Sequence, residues 1–178
     1  YFINDSSPVP VVSLYTDNAY LFDDSTGVMV KGTGRTPNYM KNLQYPCQLE
    51  YFDENGQLGI CQMGTFKIAG KTMRTGKQKS LAVYARKAYG SDTFGYPFFE
   101  DRDYDGYSAI LLRYTNSDFK STRLRDAALQ ELAKGLGLYY QAGKVIQVYL
   151  NGQYWGHYNL RERANRESLA QWEGITDP

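Results

Sequence analysis

A succession of short alternating segments, separated by tight turns, limits the folds open to this chain more than any other sequence feature. The clearest pair is KVIQVYLNG at 144–152 and QYWGHYNLRE at 153–162, in which Asn151-Gly152 marks the turn of a β-hairpin. The other predicted strands are similarly short: 9–16, 26–32, 47–53, 57–63, 65–70, 79–86 and 108–114. Because tight turns join antiparallel neighbours, the pattern predicts a mostly antiparallel β-sheet.

One long segment has helical rather than strand periodicity. Residues 121–137, STRLRDAALQELAKGLG, begin with capping-type residues and end in glycines. Apolar residues recur along one side of this helix at every fourth position: Leu124, Ala128, Leu132 and Leu136. We therefore predict a helix whose apolar side packs on the sheet.

Length and composition suit a single globular domain spanning 1–178. With a second helix predicted over 164–172, the expected fold class is α+β, a mostly antiparallel β-sheet with one packed helix. The net charge of +1 lacks the basic excess typical of nucleic-acid and membrane-surface binding. No apolar run approaches the ~20 residues of a membrane span. We therefore expect no nucleic-acid partner and no membrane span.

Two cysteines lie close together around a predicted turn. Cys47 and Cys61 flank FDENGQ at 52–57, and pairing of Asp53 with Gln57 would place both thiols on one face, two residues from direct opposition. That geometry allows a disulfide, and the alternative is two free, half-buried thiols. Together with the abundance of tyrosine (17 of 178 residues), the cysteines favour a secreted or cell-surface protein.

An acidic loop, EDRDYDG at 100–106, has the spacing of a calcium-binding loop. Asp101, Asp103 and Asp105 would supply oxygen ligands, but the twelfth loop position is Leu112, which cannot supply a bidentate carboxylate. The sequence leaves two alternatives, a weak calcium site and a solvated acidic loop.

A lysine stands at the head of a predicted strand, on its apolar face. In KSLAVYAR, alternation puts Lys79 on the side of Leu81, Val83 and Ala85. An ammonium buried there without an anionic partner is costly, so two alternatives remain. Either the side chain extends from the strand end into water, or it contacts an anion.

Ordered segments along nearly the whole chain resemble a known family: SLYTDNAYLFDDSTGVMVKG (13–32), YPCQLEYFDENGQLG (45–59), QKSLAVYARKAYG (78–90), YPFF and ILLR (96–99, 110–113), LRDAALQELA (124–133) and YLNGQYWGHYNLRER (149–163). This chain is similar to the CotH kinases, atypical protein kinases of spore surfaces and secreted bacterial proteins. The resemblance implies a fold like the N-terminal lobe of an atypical protein kinase. It also implies ATP with Mg²⁺ or Mn²⁺ as cofactors, and Ser/Thr of cell-surface or spore-coat proteins as substrates.

In such a lobe the nucleotide-binding lysine corresponds to Lys79, and it is expected to have a carboxylate partner on a neighbouring helix. The helical period returns Glu131 to the side of Leu124, at the edge of the apolar stripe, and Asp126 near the helix start is the competing candidate.

The resemblance also implies a phosphate-covering loop within FKIAGKTMRTGKQK, where Lys67 and Arg74 would face phosphates. The sequence departs from the family pattern at Lys67 and at 69–71, and a solvated basic hairpin is the alternative. Glu162 closes its strand, and the resemblance implies that this strand leads into the hinge of the kinase fold. It would face the adenine or ribose, or else form a structural ion pair with Arg161 or Arg163.

The family's metal-holding aspartates follow the hinge. After Glu162 this sequence offers only Glu167, Glu173 and Asp177, so we predict no catalytic residue in this chain and no phosphate transfer by it alone. The chain begins at Tyr1 without a methionine, which suggests a piece of a larger protein. A rival hypothesis is a non-catalytic surface module that binds glycans or a protein partner through aromatic residues: Tyr139, Tyr140, Tyr149, Tyr154, Trp155 and Tyr158.

Overall fold

The computed structural model describes residues 7–114 and 122–175. The strands are β1 Val11–Tyr15, β2 Gln44–Phe52, β3 Leu58–Ile68, β4 Leu81–Ala85, β5 Phe94–Gly95, β6 Gly106–Tyr107, β7 Ala109–Arg113, β8 Gly143–Leu150 and β9 Gln153–Glu162. The helices are α1 Asn18–Phe22, α2 Arg125–Gly135 and α3 Arg166–Trp172, with 3₁₀ turns at Asn38–Met40, Thr72–Thr75 and Lys87–Tyr89. None of these helices is long and apolar enough to cross a membrane.

The strands close into a barrel in the order β1-β2-β3-β4-β7-β9-β8, and β5 and β6 form a separate ribbon. Neighbouring strands are antiparallel except at the closing pair, where β1 runs parallel to β8 and Val12 lies beside Val148. Inward-facing aliphatic and aromatic side chains fill the barrel, as alternation along each strand requires.

The predicted fold class is wrong. The chain is mostly β, with a closed barrel and short helices, rather than an α+β sheet with one packed helix or a kinase-like N-terminal lobe. No side chain of α2 is buried, and Leu124, Leu132 and Leu136 are largely exposed. The physical reason that α2 is not packed is that the sheet closes into a barrel. A barrel turns its apolar face inward onto itself, so little apolar sheet surface remains for a helix to cover.

The residues at individual turns predicted the structure better than the pattern of elements along the whole chain did. The predicted hairpin is confirmed, with Asn151 and Gly152 at φ of +49° and +78° between β8 and β9, as a tight two-residue turn requires. The predicted strands 57–63 and 65–70 are one strand, β3. The predicted strand 26–32 is wrong, because that segment folds back on α1 through backbone bonds such as Val28 N–H to the Tyr20 carbonyl.

The hairpin of β2 and β3 explains why the two cysteines do not pair. Asp53 and Gln57 do pair across the turn, with the Asp53 N–H 2.9 Å from the Gln57 carbonyl. Gly59 then bulges out of the ladder, since Tyr51 faces Ile60 while Phe52 faces Leu58. One extra residue reverses the alternation, and the thiols lie on opposite faces, Cys47 buried and Cys61 exposed, both free.

Candidate functional site

Lys79 lies two residues before β4, on the inward side, and only 3% of its surface is exposed. Its ammonium donates to the Gly76 carbonyl at 2.5 Å and lies 4.7 Å from the centre of the Tyr39 ring. Among the described residues, no carboxylate is within ion-pair distance of this ammonium. Burial lowers the pKa of Lys79 below its ordinary value. The side chain is therefore an enclosed cation held by a carbonyl and an aromatic face.

Two loops cover this end of the barrel. The 3₁₀ turns at Asn38–Met40 and Thr72–Thr75 contact each other, and Arg74 joins them, donating to the Gly70 carbonyl at 2.6 Å and to the Tyr39 carbonyl at 3.4 Å. Arg74 and Lys79 thus share Tyr39 as a neighbour. Two cations in one loop cluster give this end of the barrel a positive character.

The backbone at Lys79 is anchored to the β8–β9 hairpin across the barrel. The buried Tyr158 hydroxyl donates to the Lys79 carbonyl at 3.1 Å, and the Gln78 side-chain amide donates to the Trp155 carbonyl. Both acceptors are main-chain groups, so the entry to β4 is fixed whichever way the lysine side chain points.

Lys67 lies apart from this cluster. It follows the inward-facing Phe66 on β3, so alternation places it on the outer face, where its ammonium lies 3.3 Å from the Asn42 side-chain oxygen and 5.4 Å from the Tyr84 ring centre. Of the two residues predicted to face phosphates, the structure brings only Arg74 near Lys79.

Asp126, on α2, faces arginines on the outer side of the barrel. Its carboxylate lies 3.0 Å from Arg161 and 3.2 Å from Arg113. Arg161 is 1% exposed, and its Nε and Nη1 atoms have no hydrogen-bond acceptor within the described ranges. Burial lowers the pKa of Arg161, and the charge of Asp126 opposes that effect. Glu131, the other predicted partner of Lys79, is exposed on the same helix, and neither carboxylate pairs with the lysine.

Glu162 is buried inside the barrel and is 1% exposed. Its carboxylate accepts a hydrogen bond from Arg102 at 2.7 Å, another from the Tyr104 hydroxyl, and a longer one from the Ala142 N–H at 3.4 Å. Its ion-pair partner is therefore Arg102 rather than Arg161 or Arg163. Burial and the nearby Glu162 charge raise the pKa of Tyr104, which keeps that phenol protonated as a donor.

The Arg102 side chain is also 1% exposed and is enclosed by aromatic rings. Its guanidinium carbon lies 4.4 Å from the Tyr140 ring centre and 5.0 Å from that of Trp172. Burial alone would lower the pKa of Arg102, but the hydrogen bond and charge of Glu162 raise it above the usual range. The pair is a desolvated ion pair with its hydrogen bonds made.

The strand register separates Lys79 from Glu162. Leu81 pairs with Leu112, which pairs with Leu160, so Lys79 is level with Tyr158, and Glu162 is four residues further along β9. Four residues correspond to about 13 Å along a strand. The two buried charges therefore occupy opposite ends of the barrel.

One aspartate of the acidic loop belongs to the same ion-pair network, and the other two are exposed to solvent. Asp101 accepts hydrogen bonds from the Tyr140 hydroxyl at 2.6 Å and from Lys134 at 3.2 Å. Burial raises the pKa of Asp101, yet these donors lower it overall. Asp103 and Asp105 are exposed, and no group of three metal-ligating side chains occurs within the described residues. The calcium site stays a prediction.

The aromatic residues of the rival hypothesis are spread over four places. Tyr139 and Tyr140 pack edge-on against Trp172, Tyr149 packs against Tyr154, and Trp155 packs against Phe22. Tyr158 is buried in the barrel. They do not form one continuous surface.

Sequence reasoning missed two residues of these networks. Arg102 sits between acidic residues that suggested calcium, and its partner Glu162 is 60 positions away. Tyr39 lies in a loop whose sequence carries no periodicity that would place it over Lys79. Only the barrel brings these residues to their partners.

Comparison with known proteins gives one match and one negative result. The family model described as CotH kinase protein matches residues 66–176. No curated protein matches the chain. The matched segment includes Lys79, Asp126 and Glu162 and covers more than half of the 178 residues. The chain therefore belongs to the CotH kinase protein family.

Proposed function

We propose that this chain provides the nucleotide-binding part of an atypical protein kinase that transfers phosphate from ATP to Ser/Thr of surface or spore-coat proteins. The observation that carries the proposal is Lys79, a buried ammonium with no carboxylate partner among the described residues. Family membership supports both the reaction class and the location at a spore or cell surface.

The physical argument concerns the cost of burial. A desolvated ammonium is stabilised by a nearby negative charge, and a carbonyl with a ring face supplies less than a full anion does. A nucleotide phosphate would supply that anion, and Arg74 in the same loop cluster would add a second cationic donor. Bound ATP with Mg²⁺ or Mn²⁺ would supply the transferable phosphoryl group.

The other predicted site residues have different roles in this proposal. Asp126 and Glu162 hold arginines of the fold, and Lys67 and Glu131 lie away from Lys79. They remain sequence-based candidates for ATP contact, while Lys79 and Arg74 are the residues on which the proposal depends.

The test is calorimetric titration of the chain with ATP in Mg²⁺ and in Mn²⁺. Lys79→Met keeps most of the length of the side chain and removes its charge, so we expect at least a tenfold loss of ATP affinity, a change of about 1.4 kcal/mol. Lys87→Met changes an exposed lysine just beyond β4 and is the matched control.

ATP binding that is equal in the wild type and in Lys79→Met would contradict the proposal. So would the absence of ATP binding in the wild-type chain. Thermal unfolding of each variant establishes that the loss of binding is not a loss of folded protein.

A further inference from the structure

A groove of about 880 Å³ lies on the outer face of β1, β2 and β8, away from Lys79. Across it, Ser13 lies beside Glu50 and Tyr149, and Tyr15 lies beside Gln48. The groove is bounded by the β2–β3 turn at one end and by the β8–β9 turn at the other. From Phe52 to Gln48 it runs about 13 Å along the strand. This volume is in the usual range for ligand sites.

The charged groups of the groove are mostly committed to the protein itself. Asp53 accepts the N–H groups of Asn55 and Gln57, and Glu54 pairs with Lys144 at 3.4 Å. No lysine or arginine occurs among the described lining residues. Such a surface disfavours anionic ligands, nucleotide phosphates included, and Glu50 is the lining carboxylate that neither the turn nor a lysine engages.

What remains is hydrogen-bonding capacity beside aromatic rings, supplied by side-chain amides and the Glu50 carboxylate. Gln48 donates to Glu50 at 2.9 Å, which orders these two side chains side by side, and Asn151 lines the far end. Tyr15, at the same end, is 65% exposed, so most of its ring is open to a ligand. Amide and carboxylate groups next to an exposed ring offer acceptors and donors together with a stacking face.

We infer that this groove binds a neutral saccharide chain. Sugar hydroxyls both donate and accept hydrogen bonds, which matches the amides and the carboxylate of Glu50, and the C–H face of a sugar ring packs on an aromatic side chain such as Tyr15. The inference does not depend on nucleotide binding, because Lys79 precedes β4, whose neighbours in the barrel are β3 and β7.

The test is calorimetric titration with neutral hexasaccharides of the cellulose, xylan, mannan, maltose and N-acetylated chitin types. We expect at least one to bind the wild-type chain with an affinity that 0.5 M NaCl leaves unchanged. Tyr15→Ala should weaken that binding about tenfold, and Glu50→Gln should weaken it as well. Tyr89→Ala removes an exposed tyrosine ring outside the groove and should have no effect.

Three outcomes would overturn the inference: no hexasaccharide binds, Tyr15→Ala binds as the wild type does, or Tyr89→Ala loses binding equally. Hexalysine serves as the competing probe. Salt-sensitive binding of hexalysine in place of every sugar would identify a cation-binding groove instead. Because Tyr15 is exposed, its replacement should leave the unfolding temperature unchanged, which separates lost binding from lost structure.

Discussion

Each end of the barrel buries a charged side chain, and the two side chains differ in the partners that compensate their charge. Glu162 has a full set of partners, an arginine, a phenol and a backbone N–H, and its arginine is enclosed by rings. Lys79, equally buried, has a carbonyl and a ring but no carboxylate among the residues the structure describes. Similar burial therefore accompanies two different degrees of electrostatic compensation.

The difference separates a structural charge from a candidate binding charge. A buried ion pair whose hydrogen bonds are formed is costly to break, because removing one member leaves the other charge buried without its partner. A buried charge with weak compensation gains most from an external ion of opposite sign. Burial alone could not have distinguished Lys79 from Glu162, whereas the partners of each do.

The largest expected effect is at the compensated end. Glu162→Gln removes the nearer anion of buried Arg102, leaves only Asp101 at 4.0 Å, and should lower the free energy of unfolding by about 3–5 kcal/mol. Urea unfolding monitored by circular dichroism measures this, and Glu167→Gln, an exposed glutamate on α3, is the control. A loss under 1 kcal/mol would show that the two ends of the barrel do not differ as described.

An intermediate effect is expected outside the barrel. Asp126→Asn removes the negative charge beside buried Arg161 and should lower the free energy of unfolding by about 1–3 kcal/mol. Glu131→Gln, on the same helix but exposed, should change it by less than about 0.5 kcal/mol. Equal effects of the two substitutions in urea unfolding would mean that Asp126 does not compensate Arg161.

The smallest effect is expected at Lys79. At pH 7, Lys79→Met should leave the free energy of unfolding within about 1 kcal/mol of the wild type, because relief of desolvation offsets the lost contacts. The pKa of Lys79 is lower in the folded chain, so the unfolded chain binds more protons between that value and the ordinary 10.5. Stability of the wild type should therefore rise with pH relative to Lys79→Met across that window.

Urea unfolding at several pH values up to 10.5 measures this relative slope. Lys87→Met, which changes an exposed lysine, should run parallel to the wild type throughout. If the wild-type stability falls relative to Lys79→Met as the pH rises, an anion inside the protein compensates Lys79. The two ends of the barrel would then not differ in the compensation of their buried charges.

The sequence predicted those parts of the fold that local chemistry determines. The Asn151-Gly152 turn requires positive φ at both positions, and the structure has them. Alternation in KSLAVYAR placed Lys79 on the apolar face, and the residue is buried there. Both predictions depended on neighbouring residues only, which is why they survived without knowledge of the tertiary structure.

The parts that failed depend on distant residues. Closure of the barrel pairs β1 with β8, segments separated by most of the chain, and no local pattern encodes that parallel pairing. The apolar stripe of α2 predicted a helix correctly but could not say that the sheet would leave it uncovered. The bulge at Gly59 shifts the register by one residue and so changes the face of Cys61. Glycine fits at this bulge because the Tyr96 ring, distant in sequence, occupies the space a side chain would need.

Closure of the barrel limits where the chain can be truncated without exposing strand edges. The family match begins at residue 66, within β3, whereas the barrel needs β1 and β2 to join β3 to β8. Cutting the chain at that boundary would leave β8 and the remnant of β3 with unpaired main-chain N–H and C=O groups. Such open strand edges recruit other chains, so the shortened protein should self-associate more readily than the closed barrel.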